Sequence, residues 1–202
     1  MPVNQQQRIR VLTVNAMFIA LIATLGLAFG FVPLFFGLFS ITILHIPVLV
    51  GAALLNVRSA IIFGLTFGLI SWMVSLTSPL IGPADLIFNN PLISIFPRIL
   101  FGLSAGILFS FCNKLEGSLR YVGYGLLALV ATLLHTIFVL ILIWIFESAN
   151  LIATFNNLFQ FIWIVISANG IIEAGVAAVL VPILVVALKQ VPIVKQLQKN
   201  FQ

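Results

Sequence analysis

Between Glu147 and Lys189 the sequence carries a single ionisable side chain, Glu173, and between Arg58 and Asp85 it carries none. Uncharged stretches of this length have few places to go. A helix needs about 20 apolar residues to cross the hydrocarbon core of a bilayer, and the chain supplies that length repeatedly. Its composition agrees, since 62% hydrophobic residues, 6% charged residues and a mean hydropathy of +1.29 lie outside the range of a soluble domain. The chain reads as an integral membrane protein.

The apolar stretches predict one domain over 1–202, an all-α bundle of six transmembrane helices at about 11–31, 34–55, 58–78, 92–112, 121–146 and 160–188. Alternating polarity over segments of about ten residues, the mark of a transmembrane barrel, is absent, and only helices or closed barrels satisfy the backbone in lipid. The opening MPVNQQQRIR leads into an apolar stretch longer than the core of a signal peptide, so the first helix is expected to be retained. With both termini cytoplasmic, Arg8, Arg10, Arg58, Lys114, Arg120, Lys189, Lys195 and Lys199 all fall inside, as the positive-inside rule requires. The net charge of +5 therefore reports topology, and no basic run with interleaved aromatics points to nucleic acid. Asp85 and Glu147 fall outside, in or beside the longer connections 79–91 and 147–159. Trp72, Trp144 and Trp163 map to the outer half, either as an aromatic belt or as rings beside a ligand. Arg98 is the one basic residue that breaks the pattern.

Ala16, Ala20, Thr24 and Ala28 recur at steps of four, a stripe of small residues against which another helix backbone can pack. Gly64 with Gly68, and Gly102 with Gly106, repeat the theme. Polar groups inside a membrane are costly, and each is a functional candidate with pairing inside the bundle as the alternative. Counting about 1.5 Å per residue, Arg98 lies about 9 Å below the outer end of its helix. His45, His135 and Glu173 fall near the midplane, Asn169 lies one turn outward of Glu173, and Asn89 and Asn90 stand at the mouth above Arg98. Together they outline a pocket open to the exterior. Arg98 could instead be neutralised by Asp85 or Glu173, His45 could serve the backbone freed by Pro47, and His135 could be a bundle hydrogen bond.

Catalytic patterns carry little weight. Gly102, Ser104 and Gly106 spell G-x-S-x-G, but a nucleophile elbow needs a strand, a turn and a helix, and this one lies within a membrane helix. No G-x-x-x-x-G-K-[ST] occurs, so any ATP is used by another chain. Cys112 is the lone cysteine, which excludes an internal disulfide, and no Cys/His cluster has metal-ligand spacing. The chain is read as neither an enzyme nor a holder of cofactor or metal.

Three segments carry a family likeness: HIPVLVGAALLNVRSAIIFGLTFGLIS (45–71), FNNPLISIFPRILFGLSAG (88–106) and NGIIEAGVAAVLVP (169–182). With the Ala16 and Ala20 stripe, they resemble the substrate-binding S component of an energy-coupling factor (ECF) vitamin transporter, most nearly the pantothenate type. A Gly-Pro pair often found before the basic residue is replaced here by Asn56 and Val57. The resemblance implies a multi-pass protein of the bacterial cell membrane that binds its vitamin from outside. It implies a lid near residues 31–40, and toppling in the membrane to release the vitamin inward. It also implies a T component docked on Ala16 and Ala20, and two ABC-type ATPase subunits that drive the cycle.

Charge narrows the substrate. A carboxylate entering a pocket of low dielectric needs a fixed cation, and arginine recognises it with a planar fork. Arg98 is the cation on the outer side, and pantothenate is an anion whose hydroxyls and amide could use Asn89, Asn90, Asn169, His45 and Glu173 while Trp72 packs its methyl groups. Folate also needs a cation but is bulkier. Hydroxymethylpyrimidine or pyridoxine is neutral and would leave Arg98 to an acid of the protein. A stand-alone proton- or ion-coupled carrier using Glu173 and His135 is the reading from another class, though the halves show no internal repeat.

Overall fold

A computed structural model describes residues 5–29, 32–34, 39–41, 43–77, 87–155, 166 and 170–198. The elements run α1 (Gln5–Phe29), β1 (Val32–Leu34), β2 (Phe39–Ile41), α2 (His45–Leu54), α3 (Val57–Thr77), α4 (Pro91–Cys112), α5 (Gly117–Phe155), α6 (Ile171–Leu188) and α7 (Pro192–Gln198). Five of the described helices, α1 and α3 to α6, are long and apolar enough to cross a membrane.

The second expected crossing is the main departure. In place of a helix over 34–55, β1 and β2 pair antiparallel, with Val32 opposite Ile41 and Leu34 opposite Phe39, and the helix occupies only His45–Leu54. At about 1.5 Å per residue, α2 spans half of the hydrocarbon core, which is about 30 Å thick. Every one of its residues is buried. A helix enclosed by protein on all sides needs no full lipid-facing length. Its position also changes the role of Pro47, which falls in the first turn, where the missing N–H breaks no helical hydrogen bond. Pro47 therefore frees no carbonyl for His45 to satisfy.

Other boundaries shift by less. α1 begins at Gln5 rather than near 11. α5 continues to Phe155 rather than ending near 146, because Leu126 to Phe155 contains neither glycine nor proline. At about 58 Å it is far longer than the bilayer core, so residues 147–155, expected to be connection, extend a helix. The sixth helix is described from Ile171; most of its expected outer half, with Trp163 and Asn169, lies outside the described residues, as do Asp85 and Lys199. α7 packs on α1, burying Val194 and Leu197.

The tightest joint is α3 against α4. A Cβ at Gly64 would strike the Arg98 carbonyl oxygen, and one at Gly102 would strike the Ala60 carbonyl oxygen. The two glycine pairs noticed in the sequence thus face each other, and their backbones touch. This is the close approach that small residues allow in lipid. Because Gly68 abuts the Ile95 Cα and the Arg98 Cβ, the joint also sets the position of Arg98. Ser104, the serine of the elbow pattern, sits mid-helix and donates to the Phe101 carbonyl at 2.9 Å.

Candidate functional site

α4 begins with a capping device that engages one of the residues expected at the ligand. Asn90 is its N-cap, with Oδ1 accepting from the Leu92 N–H at 3.0 Å, and Pro91 follows at the first helical position. Asn89 has an exposed side chain, and its carbonyl accepts from Trp72 Nε1 at 3.0 Å. Ser75 Oγ donates to the carbonyls of Trp72 and Phe88 at 2.8 and 3.0 Å. These bonds pin residues 87–90 over the end of α3 and hold the Phe88 ring 4.8 Å from the Arg98 guanidinium carbon.

Pro97 then explains how a guanidinium is kept inside. Having no N–H, Pro97 leaves the Ile93 carbonyl one turn earlier without its helical partner, and Arg98 Nη1 donates to that oxygen at 2.7 Å. The adjacent pair is self-completing: the proline opens a carbonyl and the arginine closes it. Only 3% of Arg98 is exposed. Its guanidinium also lies 5.6 Å from the centre of the Phe67 ring, so aromatic faces flank the charge from two elements.

Around it stand the other buried polar groups. His135 of α5 packs its ring against Phe101 and Phe67 at 4.8 and 5.8 Å, bonds to the Pro97 backbone, and lies within electrostatic reach of Arg98 and His45. Glu173, buried in the first turn of α6, acts electrostatically on Arg98. His45, buried at the first position of α2, completes the set from a third side. The structure therefore gathers Arg98, His45 and Glu173, and it adds His135, which is absent from the set of substrate contacts expected from sequence. Trp72 and Asn90 serve the wall of the site through backbone bonds, Asn89 faces outward, and Asn169 lies outside the described residues.

Four side-chain atoms in this region are buried without a hydrogen-bond partner among the described residues: Arg98 Nε, His135 Nδ1, Ser71 Oγ and Ser94 Oγ. By contrast, the buried Thr132 Oγ1 of α5 donates to the Ala128 carbonyl at 2.9 Å. Ser94 lies one turn before Arg98, and Ser71 one turn after Phe67, so both share faces with the guanidinium site. Buried polar atoms are nearly always satisfied. An unsatisfied group on α3, α4 and α5 marks a place where a ligand's own polar atoms can complete the set. Serines in a helix give no warning in sequence, since most bond their own backbone.

Ala16 and Ala20 lie on the exposed face of α1, with Thr24 and Ala28, while Val14, Phe18 and Ile22 form its buried face. The small-residue stripe is thus left open at the surface.

Compared with the curated proteins, the chain finds no match. The family model described as "ECF transporter, substrate-specific component" matches residues 10–185. That range takes in the polar cluster and all but the ends of the spanning helices α1 and α6. The chain belongs to the substrate-specific components of ECF transporters, membrane-embedded subunits that bind the transported substrate and associate with a T component and ATPase subunits.

Proposed function

We propose that the chain captures pantothenate from the outer side at Arg98 and carries it across by toppling against a T component, with two partner ATPases supplying the energy. The observation that carries the choice of an anion is the state of Arg98: buried, with Nε unpartnered, and set among the unsatisfied Ser71, Ser94 and His135 atoms. A carboxylate would gain a charge-assisted bond in a dry site, where such bonds are strongest. The serines and His135 would meet the hydroxyls and amide, and Phe67, Phe88 and Trp72 would shape an apolar wall. The chain needs no cofactor in this scheme. Both termini face the cytoplasm, α2 with its hairpin stands for the second of six crossings, and the hairpin lies where the lid is expected. The exposed stripe through Ala16 and Ala20 suits close, reversible docking of the T component.

A second reading rests on Glu173. Its carboxylate acts on Arg98 from α6, and a guanidinium already neutralised from within favours an uncharged ligand such as pyridoxine or hydroxymethylpyrimidine. Labelled pantothenate and labelled pyridoxine, each offered to the purified chain, separate the two. The pantothenate reading expects saturable binding of the first alone; binding of the second alone would replace it. Co-purification with a T component and two ATPases is expected, whereas proton-driven uptake by the lone chain in liposomes would remove the transporter scheme.

A further inference from the structure

At the opposite end of the bundle, the α2–α3 turn, the α4–α5 connection and the end of α6 enclose a groove of about 660 Å³. Lys114, Arg120 and Lys189 line it together with Glu116, the single acid among the described lining residues, and Asn56, Asn113 and Ser110 add polar atoms. None of these residues belongs to the Arg98 cluster, so the role of the groove is independent of the vitamin bound there.

The cations here are held in place. Lys189 Nζ donates to the Tyr124 hydroxyl at 2.5 Å, that hydroxyl donates to Asn113 Oδ1 at 2.5 Å, and Asn113 Nδ2 donates to the Ala53 carbonyl at 3.0 Å. One chain of bonds therefore fixes Lys189 across α6, α5, α4 and α2. Arg120 is fixed by Nε donating to the Leu115 carbonyl at 2.5 Å, and Lys114 Nζ stands 5.4 Å from the centre of the Phe111 ring. Burial and the nearby Arg120 both press Lys189 toward its neutral form, with burial the larger cause. Two cations that repel one another in a partly dried groove create a standing demand for an anion.

The rim of the groove says which anion. Phe111 is 61% exposed, and Leu119, Tyr121 and Val122 are 50% exposed or more. These largely apolar side chains lie next to or near the lining residues Ser110 and Arg120 in sequence and stand exposed beside the groove on α4 and α5. A soluble phosphate would use the cations and leave the rim idle; a phospholipid would use both.

We propose that this groove binds the phosphate group of an anionic phospholipid, with Lys114, Arg120 and Lys189 as its partners and the acyl chains lying along Phe111 and the exposed start of α5. Basic pockets at helix ends are a recurrent way for membrane proteins to hold such headgroups.

The test uses the full chain reconstituted in phosphatidylcholine bilayers with and without phosphatidylglycerol, followed by native mass spectrometry of the lipids it retains. Severalfold enrichment of phosphatidylglycerol in the retained pool is expected. Lys114→Gln, at an exposed position that threatens no packing, should lower the enrichment. Lys189→Gln should lower it further, and Lys189→Arg should keep most of it. Thermal unfolding of each variant without anionic lipid checks that the fold survives. Absence of enrichment, or enrichment unchanged in Lys114→Gln and Lys189→Gln, would overturn the proposal. Inorganic phosphate that displaces phosphatidylglycerol and stabilises the chain equally well would make this a soluble-phosphate site, against the lipid assignment. If added T component, and not phosphatidylglycerol, shields Lys189 from amine labelling, the groove belongs to a protein interface and the lipid assignment fails.

Discussion

The chain keeps a cation in a network at each end of the bundle, and the two differ in what they leave undone. Lys189 is only partly buried, and its hydrogen bonds close: ammonium to tyrosine, tyrosine to asparagine, asparagine to a backbone carbonyl. Arg98 is buried almost completely, and among the described residues its network stays open, with a bond to Ile93 and Nε idle beside unpartnered Ser94 and His135 atoms. A desolvated charge is expensive unless its remaining donors are met. In the proposed scheme the two ends therefore meet their anions differently: the Lys189 end presents a cation already fixed in place, whereas the Arg98 end leaves donors that an incoming ligand would complete.

Truncating Arg98 should break this contrast most severely. Removing one partner of a buried charge pair costs about 3–5 kcal/mol, and each 1.4 kcal/mol is about tenfold in affinity. Arg98→Ala is therefore expected to weaken labelled pantothenate binding by more than about a hundredfold. Unchanged affinity would remove Arg98 from the ligand site. The same change leaves the Ile93 carbonyl without its donor, so thermal unfolding should fall as well. Arg98→Lys separates the two effects: it restores the charge but not the fork, so it should recover stability more fully than affinity.

The next effect tests whether the backbone joint positions Arg98. A side chain at Gly64 must displace the Arg98 carbonyl, and overpacking costs about 1–3 kcal/mol in ordinary cores. Gly64→Leu should therefore lower the unfolding temperature and impair ligand binding, although residue 64 touches no ligand in this scheme. Gly175→Ala is the control, because nothing lies within 4 Å of a Cβ there. Equal behaviour of the two variants would sever the glycine joint from the site.

Much of this architecture is legible in the amino-acid sequence, and the failures have separate causes. Five apolar spans, the charge asymmetry and the facing glycine pairs follow from length and spacing, which lipid enforces strictly. α2 misleads because an apolar stretch of helix length need not be a lipid-facing helix, and enclosure by neighbours is a tertiary fact. The cluster is legible where residue type is rare in lipid, at Arg98, His45 and Glu173. It is illegible where the type is common, at Ser71 and Ser94. Asn90 shows its capping role openly, since asparagine before proline at the start of an apolar stretch is a helix cap. The coupling of Pro97 to Arg98 needs the observed bond to Ile93, because spacing alone does not say where a long side chain turns.

At the closed end, single changes should do less. Tyr124→Phe deletes the hydroxyl that accepts from Lys189 and donates to Asn113. A loss of about 1 kcal/mol in stability is expected, within the range for a polar partner removed from a partly buried network. Affinity at Arg98 should be unaffected. A large fall in ligand affinity would mean that the two ends communicate and that their networks are not separate.

The smallest expected effect concerns the charge of Lys189 itself. Burial, and after it Arg120, hold its ammonium below the usual lysine value, opposed by the Cys112 thiolate. With the folded value below the unfolded one, the unfolded chain binds more protons in the interval between them, so stability rises with pH across that window and falls again as pH drops through the folded value. Arg120→Gln removes one of the two depressing causes, moving the folded value up and flattening that rise. The reactive free amine should become scarcer at a given alkaline pH, so Lys189 should acylate more slowly with an amine reagent. Because the ammonium is only partly buried, salt should shrink the difference between the two proteins. Faster acylation in the variant would show that Arg120 shields the amine sterically more than it repels the charge, and the closed network would then owe its geometry to packing rather than to charge.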